Sequence, residues 1–245
     1  MSKTAGAYNA DYNRLVQDLL ASGDREAAMR KAVGGEVGAG DLLMVHLDRL
    51  GLRDGHYLID VGCGSGQLSR RAARLPALRY LGIDVVPELL THARETSGRP
   101  DFRFQHVDGL YIPEADDRAD FVCFFSVVTH LLHEESLVYL AQARRVLKPG
   151  GLLLFSFLDV ADPYARKLLL NMVRHVQEKT PIPHLNSFMS RADVPFWARM
   201  LGMEVVETLP GGRTVTAPEH LNPVLSGPVV DRAYHQALAV LRKPS

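Results

Sequence analysis

The sequence predicts an α/β fold built on a doubly wound sheet, and three observations predict it. Strand-like and helical patterns alternate from residue 56 onward. Several of the strand runs are continuously apolar, as expected of parallel strands covered on both faces. A glycine-rich turn, Gly62-Cys63-Gly64-Ser65-Gly66, follows the first of those strands directly. Strand, helix and strand repeated at this spacing close with right-handed crossovers.

Each element has its own signal. Residues 10–50 read as helices, with apolar residues at helical spacing in 11–20 and 39–52 and a glycine-rich joint at 31–40 between them. Gly51 suits a helix C-terminus. Strands are expected at 56–61, 79–85, 101–108, 119–128 and 150–159. Helices are expected at 66–75, 87–96 and 134–147, with Pro87 suited to a first turn. Residues 162–201 break the alternation with two helical stretches, 163–179 and 190–202. A strand follows at 202–209, and 235–243 fits a strand or a helix on periodicity alone.

Composition bounds the function. Lys plus Arg and Asp plus Glu each number 28, so the formal net charge is zero. Without a basic excess or stripe, a nucleic-acid partner is not expected. No run approaches the roughly 18 apolar residues of a membrane span, so no membrane partner is expected, and 1–13 has no apolar signal core. The two cysteines, Cys63 and Cys123, give no disulfide framework. Together these features predict a cytoplasmic protein of one domain. Its expected parts are an N-terminal helical cap (1–50), a cofactor-binding core (51–160), a helical addition (161–201) and closing strands (202–245).

The glycine turn raises the question of its ligand, since dinucleotides, nucleoside triphosphates and S-adenosylmethionine all use such turns. Gly62, Gly64 and Gly66 read G-x-G-x-G, and Gln67 stands where a dinucleotide fingerprint has its third glycine. No G-K-[ST] follows, which argues against a triphosphate loop. Asp84 ends the second strand 18 residues past Gly66, placed to accept from two ribose hydroxyls of either NAD or S-adenosylmethionine. Asp108 ends the third strand, where it is either an adenine-amine acceptor or a loop carboxylate. Lys148-Pro149-Gly150-Gly151 leads into strand five.

The set "LIDVGCGSG", "YLGID", "FQHVDG", "FFSVVTHLL" and "RVLKPGGLLLFSFL" resembles the class I S-adenosylmethionine-dependent methyltransferases, most of all bacterial members acting on small molecules. The resemblance is close over 30–160 and weaker beyond. It implies a Rossmann-like seven-stranded sheet of order 3-2-1-4-5-7-6 with strand 7 antiparallel, which makes the terminal segment a strand, and a helical lid insertion. It implies S-adenosylmethionine as cofactor. Carried over, Gly62, Cys63 and Gly64 wrap the methionine part and Asp60 orients it. Asp84 holds the ribose, Val85 packs on the adenine, and Asp108 and Gly109 meet its edge. Phe125 and Ser126 border the sulfonium.

His130, after strand four, is the candidate base, because an imidazole titrates near working pH. The competing reading has it packed on helices or bonded to backbone. His133 reads as a capping or surface residue. Tyr8, Tyr12, His184, Asn186, Phe188 and Trp197 lie in the helical additions and as a group suit an acceptor pocket. Cys63 and Cys123 read as small packing residues, and no metal-ligand cluster stands out. The strand-four tip reads Phe-Ser-Val-Val (125–128) in place of the N-P-P-Y or D-P-P-Y segment of adenine-N6 or glutamine methylation. The expected function is methyl transfer to a small-molecule acceptor, with a hydroxyl considered as the receiving group. The rivals are a non-catalytic S-adenosylmethionine binder and a nicotinamide-dependent oxidoreductase.

Overall fold

The computed structural model describes residues 5–21, 23, 27, 29, 38–181 and 185–245. Residues 31–37 of the glycine-rich joint and His184 lie outside the described residues, as does the side chain of Tyr8.

Helices α1 (Ala5–Ala21) and α2 (Ala39–Arg49) precede the sheet. Gly51, with φ of 94°, follows α2 in the left-handed conformation expected of a helix terminator. Then come β1 (Tyr57–Val61), α3 (Ser69–Ala72), β2 (Arg79–Asp84), α4 (Pro87–Ser97), β3 (Arg103–His106) and β4 (Ala119–Phe124). Helix α5 (His133–Val146) and β5 (Leu147–Phe157) follow. Helices α6 (Pro163–Gln177) and α7 (Val194–Leu201) interrupt the alternation, and β6 (Glu204–Leu209), β7 (Thr214–Val215), β8 (Arg232–Ala233) and β9 (Ala237–Arg242) close the chain.

Seven strands form one sheet of order β3-β2-β1-β4-β5-β9-β6. Strands β1 to β5 are parallel, and β9 runs antiparallel to both β5 and β6. Set apart from the small β7-β8 ladder, this is the order 3-2-1-4-5-7-6, and the ambiguous terminal segment is a strand in the core of the sheet. The central strands are buried on both faces. Leu58, Cys123 and Leu154 pack with α2 on one side, and Ile59, Val122 and Phe155 pack with α5 and α7 on the other. That two-sided burial is why their sequences do not alternate.

Three expectations need correction. The helix expected at 66–75 holds only one regular turn, Ser69–Ala72, flanked by tighter turns. Its start is fixed by Gly66, whose φ of 83° is not helical. Strand β4 ends at Phe124, four residues early, because Ser126 reverses into positive φ (59°) and a 3₁₀ turn occupies 128–130. The closing segment, 202–245, also carries the additional β7-β8 pair, too short to show any period. Among the described residues, no helix is long and apolar enough to cross a membrane.

Candidate active site

The carboxyl ends of the parallel strands converge on the glycine turn. Gly62 and Cys63 both donate their backbone N–H to the Ile83 carbonyl of β2, at 2.7 and 3.0 Å. The turn is therefore pinned to the neighbouring strand. Gly62 has φ of 72°, and a Cβ there would lie 2.3 Å from Val127 Cγ2. The segment after β4 thus lies directly on the turn. At Gly66 a Cβ would come within 2.9 Å of the Ala93 Cα of α4, so this glycine sets how closely that helix approaches.

Asp84 closes the turn from the other side. Its Oδ2 accepts from the Gly64 N–H at 2.9 Å and its Oδ1 from the Val86 N–H at 3.0 Å. Each carboxylate oxygen retains a lone pair for a further donor. Burial pushes the Asp84 carboxyl up to about 6, against these backbone bonds, which pull it down. A desolvated carboxylate short of donors fits ribose hydroxyls. The carboxylate, the glycine-rich turn backbone and the absence of a basic residue in 58–69 suit the uncharged ribose of S-adenosylmethionine and require no phosphate. Asp60 lies deeper, bonded by the Tyr80 hydroxyl at 2.7 Å and approached by the Cys123 thiol at 3.4 Å. Burial raises it too to about 6. Both cysteine thiols are buried and pushed well up by that burial, so neither is an activated nucleophile.

Val85 sits between β2 and α4, and its carbonyl accepts from Asn13 Nδ2 at 3.2 Å and His106 Nε2 at 3.1 Å. Val16 of α1 packs with Val86 and Leu89. Helix α1 therefore covers the face where the adenine is expected. Asn13 had no sequence signal beyond its place in an amphipathic helix. Val107 N–H bonds the Asp84 carbonyl at 3.2 Å, which brings the end of β3 alongside. Asp108 follows it, exposed, and Gly109 is half-buried beside Tyr111.

At the tip of β4 the site is built by side chains. Ser126 N–H donates to Ser156 Oγ (2.7 Å), Ser156 Oγ donates to Gln236 Oε1 (2.7 Å), and Gln236 Nε2 donates to Ser126 Oγ (2.8 Å). The Tyr234 hydroxyl lies 3.0 Å from Ser126 Oγ, and its ring meets Phe125 edge-on. This closed ring holds Ser126 at its positive φ, a conformation that costs a non-glycine residue about 1 kcal/mol or more. The network brings Ser156, Tyr234 and Gln236 to the site. No spacing in the sequence links them to Ser126.

His130 lies in the 3₁₀ turn after β4 with Nδ1 2.8 Å from the Leu185 carbonyl. That contact places a ring proton on Nδ1. His133 bonds the Phe188 carbonyl at 3.0 Å and meets Trp197 edge-on. Trp197 is buried and stacked on Phe155, so it belongs to the core and not to an acceptor wall. Arg191 ties Asp159 (2.9 Å) to Asp162 (3.1 Å), and Asp162 accepts from the Gly211 N–H at 2.7 Å, which joins the end of β5 to the loop after β6.

Comparison with known proteins agrees with this geometry. A methyltransferase-domain family model matches residues 59–155. The ubiquinone biosynthesis O-methyltransferase of Xanthomonas oryzae is 32% identical over 165 residues, 65% of each chain, so the chain spans just under two thirds of that relative. The protein of the same name from Xanthomonas campestris is 30% identical over 170 residues, 66% of this chain and 69% of the other. A Haloferax volcanii complex of the Trm112 methyltransferase activator with a methyltransferase shares the fold, with a TM-score of 0.67 at 19% identity over 96% of this chain and 98% of that one. With its glycine turn, its strand order and these relatives, the chain belongs to the class I S-adenosylmethionine-dependent methyltransferases.

Proposed function

We propose that this chain transfers the methyl group of S-adenosylmethionine to a hydroxyl of a small-molecule acceptor in the cytoplasm, leaving S-adenosylhomocysteine. The observation that carries this reading is the contact between the glycine turn and the β4 tip, with Val127 over Gly62 and Ser126 held beside it by three side chains. The O-methyltransferase relatives support oxygen as the receiving atom.

When bound, the cofactor supplies an electrophilic methyl group on a cationic sulfur. The chain's residues do the rest. Gly62, Cys63 and Gly64 would present backbone to the methionine part, with Asp60 behind them. Asp84 would hold the ribose. Val85, Asp108 and Gly109 would flank the adenine, and α1 would exclude water from it. Phe125 and Ser126 would border the sulfur. His130 Nε2 would take the proton of the acceptor hydroxyl while Leu185 fixes its tautomer. Alignment and exclusion of water supply much of the rate in such a displacement.

The test is methyl-labelled S-adenosylmethionine added with purified protein to a cell extract, followed by separation of small molecules, polymers, protein and RNA. Label in the small-molecule fraction, in an alkali-stable ether, is expected. Label confined to protein or RNA, or no label despite bound cofactor, contradicts the proposal.

A further inference from the structure

The glycine turn leaves one group of its cofactor without a counter-charge. The methionine part of S-adenosylmethionine carries a free carboxylate, and a charge taken out of water is paired in folded proteins. Residues 58–69 hold no basic side chain. Asp60, behind the turn, is itself an acid, which suits the amino group of the methionine part and repels its carboxylate. A cation for the carboxylate has to come from elsewhere in the fold.

The packing indicates from which side. Tyr80 and Cys123, the two residues that approach Asp60, pack in one apolar cluster with Leu42 and Leu43 of α2. The methionine part therefore belongs on the α2 side of the sheet. There the first turn of α2 lies directly on the end of the glycine turn, since a Cβ on Gly40 would come within 2.1 Å of the Gln67 carbonyl oxygen. Helix α2 starts from Gly38, which has φ of 79° and no side chain to cap the first N–H groups.

Arg232 of β8 reaches this spot. A Cβ on Gly38 would meet its Nη1 at 2.4 Å and its Cζ at 3.1 Å, so the half-buried guanidinium lies against the start of α2. Two other arginines on this side are committed. Arg71 bonds Asp41, which also accepts from the N–H and the hydroxyl of Ser226, and Arg74 bonds the Leu225 carbonyl. Arg232 and Tyr234 stand two residues apart across β8, which puts their side chains on one face. The Tyr234 hydroxyl reaches Ser126 at 3.0 Å, and its ring packs in the same cluster as Cys63. The pair thus addresses both ends of the glycine turn. Tyr234 reaches the β4 tip, whose Val127 lies on Gly62, and Arg232 reaches the helix start that lies on Gln67.

We propose that Arg232 binds the carboxylate of the cofactor's methionine part, with the first N–H groups of α2 beside it. A guanidinium offers two parallel N–H donors that match a carboxylate, and the positive end of a helix adds to its field. The inference rests on S-adenosylmethionine as the cofactor and is independent of the acceptor.

The test is calorimetric titration of the wild-type protein, Arg232→Met and Arg232→Lys with two ligands, S-adenosylhomocysteine and its decarboxylated analogue. Wild type is expected to prefer S-adenosylhomocysteine by tenfold or more. Arg232→Met is expected to bind S-adenosylhomocysteine at least tenfold more weakly and the analogue within twofold of wild type, so that the preference disappears. Binding of the analogue also shows that the variant is folded. Arg232→Lys, which keeps the charge without the fork, is expected to fall between the two. A preference that survives in Arg232→Met, or an equal weakening of both ligands, overturns the inference; equal weakening would make Arg232 a packing residue of α2. Failure of the wild-type protein to bind either ligand would overturn the cofactor reading, and this inference with it.

Discussion

The two halves of the sheet's carboxyl edge are built by different means. On the β1–β2 half, backbone groups and one carboxylate from residues 62–86 make every key contact, including Gly62 and Cys63 to Ile83, and Gly64 and Val86 to Asp84. On the β4–β5–β9 half, side chains make them, across 30 residues from Ser126 to Ser156 and 110 from Ser126 to Gln236. The first half is a fixed cradle in which even a methyl group has no room. The second is a set of exchangeable side chains on a rigid frame, the part of such a fold that can vary with the acceptor.

Substitutions should separate the halves. The largest effect is expected from Gly62→Ala, where the new Cβ meets Val127 at a left-handed backbone position. Strain of about 1–3 kcal/mol and a displaced turn should abolish measurable S-adenosylhomocysteine binding by calorimetry. Pairing it with Val127→Ala should restore only part, because the φ penalty remains. Next is Asp84→Asn. An amide cannot accept from both backbone donors, and losing one charge-assisted bond of about 1.5–3 kcal/mol predicts a cofactor affinity at least tenfold weaker.

Smaller and different in kind is Gln236→Ala. It breaks the ring that holds Ser126 while leaving the cradle intact. Turnover should fall about tenfold with cofactor affinity changed less than threefold. An equal loss of both would erase the distinction between the halves.

The smallest expected effect is one of pH. Asp84 must be ionised to accept from ribose, and its carboxyl sits at about 6. Cofactor affinity should be full above that value and decline as pH falls through it. Stability of the free protein moves the other way. Asp60 and Asp84 hold protons more readily folded, at about 6, than at their ordinary 3.8. Their contribution therefore becomes more favourable as pH falls from about 6 toward 4. Paired titrations of cofactor affinity and melting temperature across that window check both signs.

The same division explains what the sequence made legible. The strand order, the antiparallel terminal strand and the positions of Gly62, Asp84 and Ser126 follow from local pattern and family resemblance, because backbone turns leave their glycines in one short stretch. Residues 125–128 read as strand because Val127 and Val128 are β-formers, yet the positive φ at Ser126 ends β4 first. Tyr234 and Gln236 gave no sign of their role, since a side-chain network has no period. Trp197 falls in the group suited to an acceptor pocket because insertions at the carboxyl edge usually form the lid, whereas it stacks on Phe155 in the core. Asn13 joins the site only through the fold of α1 over Val85.

The central claim is that the backbone half is an S-adenosylmethionine cradle. The most direct measurement is calorimetric titration of the wild-type protein and Asp84→Asn with S-adenosylhomocysteine and, separately, with NAD. The account predicts one-to-one binding of S-adenosylhomocysteine, its weakening by at least tenfold in the variant, and no heat from NAD. Binding of NAD, or binding of S-adenosylhomocysteine indifferent to Asp84, would contradict it.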